Sequence, residues 1–535
     1  MTKHPQMVYV IGSGPAGVAA AHALVAQGIS VTMLDVGIDL EPERERLIDH
    51  LYAGTPETWT SSQLDDLKRG MKATADGIPQ KLTYGSDFPF RDAGQAGCVE
   101  ADGVDYLLTG AKGGLSNAWG SNIMPYTKRD ISDWCITPDD LAPHYTAVGS
   151  IIPVSAGPDD LEEDFPIYGG NGTRLRPSRQ AENIVRNLRL HREALRSDGI
   201  SGGFARLAVQ VSPNEENPRG CVYCGLCLYG CPYRLIYSSR SGVQMLQRSP
   251  HFRYQAGVVV ESVREDPSGV TISARATASV ERITFSGSRV YLACGAIATT
   301  RILLASMRAY DKPVTLRDTL FFLLPTLQYD GVPGVAAEAL HSLSQVLVEI
   351  YDRALSDRTV QLQFYTYTDL FTEAVRSRLG VLFPLARPFL PAMLGRLSVV
   401  MGYLHSDDSP AVSVRLLEQG GLDKLVLGAT PSERTQPVID GVVRKLWQHR
   451  NRLRTVPLTP LMKVMKPGKS YHYGGTFPMK ASPGPFESDR LGRPPGFRRV
   501  HAVDATVLPS IAATTIVFTA MANAHRIASA HTQDL

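Results

Sequence analysis

The sequence predicts an α/β protein in which a Rossmann-like nucleotide-binding domain is joined to an α+β substrate-binding domain built on an antiparallel sheet. Two observations predict this: a strand, glycine motif and helix at residues 8–37, and a change of composition at residues 310–467, where strand-like and helix-like segments alternate. The chain has 535 residues, too many for one hydrophobic core. We therefore expect at least two domains.

The first strand is an apolar, β-branched run at 8–11. Gly12, Gly14 and Gly17 follow it as G-x-G-x-x-G, and an Ala-rich helix is predicted from Pro15 to Gln27. In this motif the first glycine permits a tight turn, the second lets a pyrophosphate approach the backbone, and the third lets the helix pack on the strand. The helix N-terminus would direct its N–H groups and its positive dipole end at that pyrophosphate.

A second strand at 30–34 ends at Asp35, which lies 18 residues after Gly17. An acid near this spacing binds a ribose hydroxyl in dinucleotide-binding folds. The ligand is therefore predicted to be FAD or NAD(P). The glycine motif alone does not distinguish between them.

Composition excludes several other classes of protein. The apolar fraction of 43% and the charged fraction of 20% are those of an ordinary globular protein. A net charge of +3 argues against a nucleic-acid partner. The residues before the first strand contain no apolar signal region, so a cytoplasmic location is expected, with export on a partner's signal left open.

A glycine-rich loop spans residues 109–126, and its backbone could lie flat against a planar ring; an ordinary surface loop is the alternative. Its central part, GGLSNAWG at 113–120, resembles the glucose–methanol–choline (GMC) family of FAD oxidoreductases. Two further segments carry the same resemblance: RVYLACGAIATTRILL at 289–304, and a tail with KSYHYGGTFPM at 469–479 and VDATVLPS at 503–510. The family pattern for the tail is H-x-x-G-T followed by V-D-A-[ST]-x-x-P-[ST].

The resemblance implies a discontinuous FAD-binding domain of residues 1–150, 210–309 and 468–535, with 151–209 and 310–467 forming the substrate-binding region. It also implies non-covalent FAD, because Ala118 stands where some members have a flavin-linked histidine. Trp119 stands where many members have asparagine. The residues predicted to contact the cofactor are Gly12, Gly14, Pro15, Ala16, Gly17, Asp35, Gly113, Gly114, Ser116, Asn117, Trp119, Cys294, Asp504 and Thr514.

His472 is the predicted catalytic base. Hydride transfer from an alcohol to flavin N5 requires loss of the hydroxyl proton, and histidine is suited to accept it. His472 aligns with the family base, although a structural histidine is the alternative. Thr515 aligns with the family's second His or Asn; its hydroxyl can hydrogen-bond a substrate oxygen but cannot act as a base near neutral pH. Structural or surface roles are expected for His501, His525 and His531, and His405 lies at a predicted turn.

Cys221, Cys224, Cys227 and Cys231 precede a proline with the spacing C-x2-C-x2-C-x3-C-P. This spacing is that of bacterial ferredoxins and predicts a [4Fe–4S] or [3Fe–4S] cluster. The resemblance extends to GMC members with a cysteine group at this point. Zinc is a second interpretation, and a loop of free or paired thiols without metal is a third.

These residues together predict an FAD-dependent dehydrogenase that oxidises an alcohol, such as that of a sugar, polyol or glycoside. Electrons would leave through the cluster to an external acceptor or an electron-transfer protein. An oxygen-using oxidase with a structural cysteine loop is one alternative. A non-catalytic flavin-binding or electron-transfer subunit is another.

An apolar segment at 379–404 contains Arg387, Arg396 and three prolines. The arginines and prolines argue against a membrane-spanning helix. A segment lying at a membrane interface is one interpretation. A buried wall of the substrate cavity is the other, and the sequence favours it.

Overall fold

The computed structural model describes residues 7–70, 80–91, 98–279, 281–419 and 422–534. Its first sheet contains the strand that precedes the glycine motif. It is parallel, and its strands lie in the order β20 (Val500–Ala502), β9 (Arg289–Leu292), β1 (Val8–Ile11), β2 (Val31–Leu34) and β5 (Phe252–Gln255). Both faces are covered, and every residue of β1 and β2 is accordingly buried.

Helices α1 (Pro15–Ala26), α14 (Ile516–Ser529), α4 (Pro138–Ile151) and α7 (Ser239–Leu246) form one layer against this sheet. The other layer comprises α8 (Ala296–Ser306) and a three-stranded antiparallel sheet of β6 (Val258–Asp266), β7 (Gly269–Ala276) and β8 (Arg282–Gly287). The strand, turn and helix expected at 289–304 are thus present as β9 and α8. The predicted α/β class is confirmed.

A seven-stranded antiparallel sheet forms the second unit. Its main path is β17 (Thr455–Pro457), β11 (Phe321–Gln328), β14 (Leu397–Tyr403), β13 (Val360–Tyr365), β12 (Val346–Ile350) and β4 (Ile200–Phe204), and β18 (Lys463–Val464) pairs with β11. Helices α5 (Arg179–Leu190), α6 (Arg192–Ser197), α12 (Thr435–Gln448) and α13 (Arg450–Leu453) pack on one face.

The side chains of β13 alternate between the helix-covered core and a cavity. Val360, Leu362 and Phe364 pack in the core under the helices. Because successive side chains of a strand point to opposite faces, Gln363 and Tyr365 point the other way, into a cavity.

A third, mixed sheet contains β19 (Tyr473–Gly474), β10 (Val314–Asp318), β15 (Ala411–Gln419), β16 (Leu422–Thr430) and β3 (Cys98–Asp102). The antiparallel sheet predicted for the substrate-binding region is the seven-stranded one, but β10, β15 and β16, which also lie within 310–467, belong to this third sheet. The apolar face of β15, with Val412, Val414 and Leu416, packs into the core of the first unit instead.

Five helices complete the described ranges: α2 (Pro42–Ala53), α3 (Ser61–Lys68), α9 (Asp369–Leu379), α10 (Phe383–Ala386) and α11 (Leu390–Leu394). Within those ranges, no helix combines the length and the hydropathy that crossing a bilayer requires.

Candidate active site

A cavity of about 520 Å³ extends from the glycine turn to His472 and is walled by both units. It brings together most of the predicted site residues, although Gly12 and Thr515 are 503 positions apart in the sequence. Those on its lining are Gly12, Gly14, Pro15, Ala16, Asp35, Gly114, Ser116, Trp119, Cys294, Asp504, His472 and Thr515. Gly17, Gly113, Asn117 and Thr514 are not on the lining.

The three glycines of the motif differ in whether the surrounding protein leaves room for a side chain. A Cβ at Gly12 would lie 2.5 Å from the carbonyl oxygen of Ala293, and one at Gly17 would collide with the carbonyl of Gly12. Gly14 has φ −65°, and a Cβ there would meet no protein atom within 4 Å. The chain itself therefore does not need glycine at position 14. The space it leaves adjoins the N-terminus of α1, which has no side-chain cap, and this fits a pyrophosphate.

Asp35 joins the glycine turn to the glycine-rich loop. Its carboxylate accepts hydrogen bonds from the Ser13 hydroxyl and from Tyr254 Oη at 3.0 Å. Ser13 Oγ in turn accepts a bond of 2.8 Å from the N–H of Gly113. Burial raises the pKa of Asp35 to about 6. An acid fixed at this edge of the cavity fits the hydroxyl groups of a ribose.

Asp504 is held by protein donors on both oxygens. One oxygen accepts bonds from the N–H of Gly295, at 2.9 Å, and from the Thr299 hydroxyl; the other accepts from Thr506. Burial raises the pKa of this carboxyl. Asp504 thus ties the end of β20 to the start of α8 beside the cavity.

The loop at 113–120 is shaped by its own polar groups. The Asn117 amide donates to the carbonyls of Lys112 and Gly114 and accepts from Ser238 Oγ, so this side chain braces the loop. Trp119 Nε1 donates to the Tyr237 carbonyl at 2.8 Å. Ala118 lies on the cavity wall beside Trp119.

The backbone around His472 is fixed on both sides. Its N–H donates to Ser470 Oγ at 3.0 Å, and that hydroxyl donates to the buried Asp318 at 2.8 Å. Its carbonyl accepts from the N–H of Thr319 at 3.1 Å. The preceding residue, Tyr471, has a left-handed φ of +58°, a conformation that costs free energy and recurs at functional sites.

The His472 ring stacks on Tyr403. Its Nδ1 is buried and makes no hydrogen bond to any residue that the structure describes. Burial lowers the pKa of His472 to about 4, so the ring is neutral at physiological pH.

Thr515 occupies the N-cap position of α14, where its hydroxyl makes no capping bond. Thr514 and Thr515 both have buried hydroxyls without a hydrogen-bond partner in the described ranges, but only Thr515 lines the cavity. His501, His525 and His531, for which structural or surface roles were expected, are likewise absent from the lining, as is His405.

Sequence reasoning missed the wall contributed by the second unit: Phe321, Gln363, Tyr365, Met401 and Tyr403. The alternation of polar and apolar residues at 360–365 could have predicted that Gln363 and Tyr365 face the cavity. The Gln363 amide donates to Gln361 Oε1 at 2.8 Å and accepts from Asn122 Nδ2 at 3.1 Å, which fixes its orientation.

Lys81 was also missed, and no pattern marks it. Its ammonium donates to the Trp119 carbonyl at 2.8 Å, and Gly120, the next residue, lies against Tyr365. Burial lowers the pKa of Lys81 to about 8. Among the described residues of the lining, the carboxylates are Asp35 and Asp504, both beside the glycine turn and α8.

The cysteine loop adjoins this cavity, since Leu228 lies on the lining. Cys221, Cys224, Cys227 and Cys231 are free, half-buried thiols that pack against a cluster containing Tyr229 and Tyr233. In the part of the chain that is described, no set of three or more His, Cys, Asp or Glu side chains is arranged to hold a metal ion. The predicted iron–sulfur or zinc site is therefore not supported, and no electron route is drawn through it.

Comparisons with known proteins agree with this geometry. No protein-family model matches the sequence. An alignment over 330 residues is 27% identical to 6'''-hydroxyparomomycin C oxidase of Streptomyces lividus and covers 57% of this chain. The match spans half the length of that relative. Pyridoxine 4-oxidase from Mesorbium loti has a similar structure, with a TM-score of 0.59, 14% identity and coverage of 98% of this chain and 99% of that one. The shared fold, the motif segments and these likenesses support the resemblance to GMC-type FAD oxidoreductases.

Proposed function

We propose that the chain binds FAD without a covalent link and oxidises an alcohol group of a small molecule. The observation that carries the proposal is that His472 lines the same cavity as the glycine turn and Asp35. Gly12, Gly14 and the α1 N-terminus would hold the pyrophosphate, and Asp35 a ribose. Bound FAD would supply the hydride acceptor.

His472 takes the hydroxyl proton of the substrate. Its Nδ1 is sealed from solvent, which leaves Nε2 as the ring nitrogen for the substrate. The low pKa keeps the ring neutral and ready to accept a proton at physiological pH. A base of this strength does not hold the proton of a resting alcohol, so the proton moves as the carbon–hydrogen bond breaks and the hydroxyl becomes acidic.

Thr515 donates a hydrogen bond to the substrate oxygen. Its hydroxyl has no partner in the described ranges and stands at the N-terminus of α14, where the helix dipole favours negative charge. The substrate hydroxyl is thus oriented by a neutral base, His472, and a neutral donor, Thr515. Phe321, Met401 and Tyr403 displace water from around it.

The substrate is a neutral or anionic alcohol. Lys81 brings a cation to the wall near Tyr365, whereas the lining carboxylates named above lie beside the cofactor region. Gln363 and Tyr365 supply polar contacts suited to further hydroxyl groups. A sugar, polyol or glycoside fits this wall.

The electron acceptor divides the proposal into two forms. A dehydrogenase, the form predicted from the sequence, passes electrons to a dye or protein acceptor. An oxidase, favoured by the names of both similar proteins, passes them to oxygen and releases hydrogen peroxide. The cytoplasmic location stays a prediction in either form.

The test begins with acid precipitation of the purified protein, which should release all flavin because Ala118 cannot form a covalent link. Anaerobic mixing with neutral, anionic and cationic alcohols should then bleach the flavin with members of the first two groups. Peroxide formation in air, compared with dye reduction, identifies the acceptor. A flavin that stays oxidised with every alcohol would overturn the proposal and favour a non-catalytic subunit.

A further inference from the structure

The segment between α9 and α11 exposes large apolar side chains to solvent. We call Val381, Leu382, Leu385 and Phe389 the apolar tip; their exposed fractions are 94%, 57%, 74% and 74%. They make up four of the nine large hydrophobic residues that are exposed in the described part of the chain. Scattered exposed leucines are ordinary, but a contiguous group of this kind marks an interaction surface.

The position of the apolar tip decides between the two interpretations of residues 379–404. Only Met401 and Tyr403 of this range line the cavity. The tip itself faces solvent, so the prediction that the segment forms a wall of the substrate cavity is wrong for these residues.

The base of the segment is anchored while the tip stays outside. Leu394 is buried against Val332 and Val335. The Arg376 guanidinium lies 5.2 Å from the centre of the Phe383 ring, which links α9 to the start of α10. The tip is therefore presented on a fixed support.

The charged residues within the segment that bears the tip are all basic. Residues 374–392 contain Arg376, Arg378 and Arg387 and no acidic residue. Arg376 pairs with Glu373 at 3.1 Å, but no ion pair within the described ranges involves Arg378 or Arg387, and both are exposed. Apolar side chains surrounded by unpaired cations are the pattern of a segment that inserts into the headgroup region of an anionic bilayer.

We propose that the apolar tip docks the protein on an anionic lipid surface, with its leucines and Phe389 below the headgroups and Arg378 and Arg387 at the phosphates. A second copy of the chain is a poorer occupant, because two such tips would bring like charges together. Docking of this kind needs no spanning helix. It is independent of the proposed oxidation of an alcohol.

The test is flotation of the full-length, flavin-loaded protein with vesicles of phosphatidylcholine and phosphatidylglycerol in equal parts, at low salt. We expect co-flotation with these vesicles, much less with pure phosphatidylcholine, and a decrease at high salt. Arg378→Gln with Arg387→Gln should lower the partition coefficient by about thirtyfold. Leu385→Glu with Phe389→Glu should lower it further. Leu190→Glu is the matched control, since Leu190 is 72% exposed on α5, and it should not change the partition.

Three outcomes would overturn docking: wild-type protein that stays at the bottom of the gradient at low salt, equal flotation with both kinds of vesicle, or equal losses in the tip and Leu190 variants. A concentration-dependent dimer that only the tip variants abolish, without vesicle binding, would assign the surface to a second copy instead. The double variant Arg378→Gln with Arg387→Gln changes only exposed side chains and should keep its flavin. The test therefore does not depend on the folding of the glutamate variant.

Discussion

The rings of Tyr403 and His472 stack with centroids 5.3 Å apart and planes inclined by 23°. Tyr403 ends β14 of the second unit, whereas His472 precedes β19 in the tail that returns to the first. The stacking therefore fixes the proposed base across the junction of the two units. Ring orientation at this point depends on both, which offers direct tests.

Replacing His472 with Ala should lower the rate of flavin reduction by about 10²–10⁴-fold, as expected for the loss of a general base. FAD should remain bound, because the predicted cofactor contacts lie elsewhere. Anaerobic stopped-flow absorbance measures the rate. Tyr403→Phe keeps the stacked ring and serves as the control, with little change expected. Unchanged reduction in the His472 variant would remove this residue from the mechanism.

The pH dependence of flavin reduction should reflect the burial of His472. The neutral ring is the active form, and burial lowers its pKa to about 4. The rate should therefore stay constant from neutral pH down to about 5 and fall as pH approaches 4. An acid limb centred near 6.5, the pKa of an exposed histidine, would contradict the buried setting. The same shift makes this histidine's contribution to stability decrease as pH falls from 6.5 towards 4.

Thr515→Val should lower kcat/KM by about tenfold, the effect of losing one hydrogen bond to the reacting oxygen. Thr514→Val is an unusually close control: the two hydroxyls are adjacent, both are buried, and both lack a partner in the described ranges. Only Thr515 lines the cavity, so the Thr514 variant should keep wild-type kinetics. Equal losses in the two variants would mean that the effect arises from α14 rather than from substrate contact.

Lys81→Gln should change substrate preference by charge. Removing the cation should raise KM for an anionic alcohol at least about tenfold and leave a neutral alcohol of the same size nearly unchanged. A panel of matched neutral and acidic alcohols measures this. Lys112→Gln is the control, because Lys112 lies outside the cavity lining and over the Tyr254 ring. A KM that rises equally for both alcohols would point to a role in shaping the Trp119 loop.

The nucleotide-binding half could be predicted closely because local rules govern it. The first strand at 8–11, the helix beginning at Pro15 and the strand ending before Asp35 all follow from β-branched runs and glycine positions. The substrate half could not be predicted to the same extent. Tyr403 and Phe321 enter the cavity through strand pairing, and Lys81 through a single long side chain, neither of which leaves a periodic pattern.

The cysteine loop shows a different limit. The spacing at 221–231 matches a ferredoxin pattern, but spacing restricts only the distance along the chain. Positive φ angles at Tyr223, Gly225 and Gly230 bend the backbone between the cysteines. Here the thiols pack on an apolar cluster. A pattern of ligand types therefore predicts a metal only together with the loop conformation.

The position of β20 and α14 has a consequence for biosynthesis. β20 pairs with β9 at the edge of the first sheet, and α14 packs along α1, although nearly 500 residues separate α14 from that helix. A ribosome releases the glycine motif nearly 500 residues before α14, and the sheet stays incomplete until β20 and α14 have emerged. The nascent segment that contains α1 keeps an apolar face uncovered throughout that interval, which exposes it to aggregation. Deletion of residues 500–529 would remove β20 and α14 and leave the first unit without an edge strand and a covering helix.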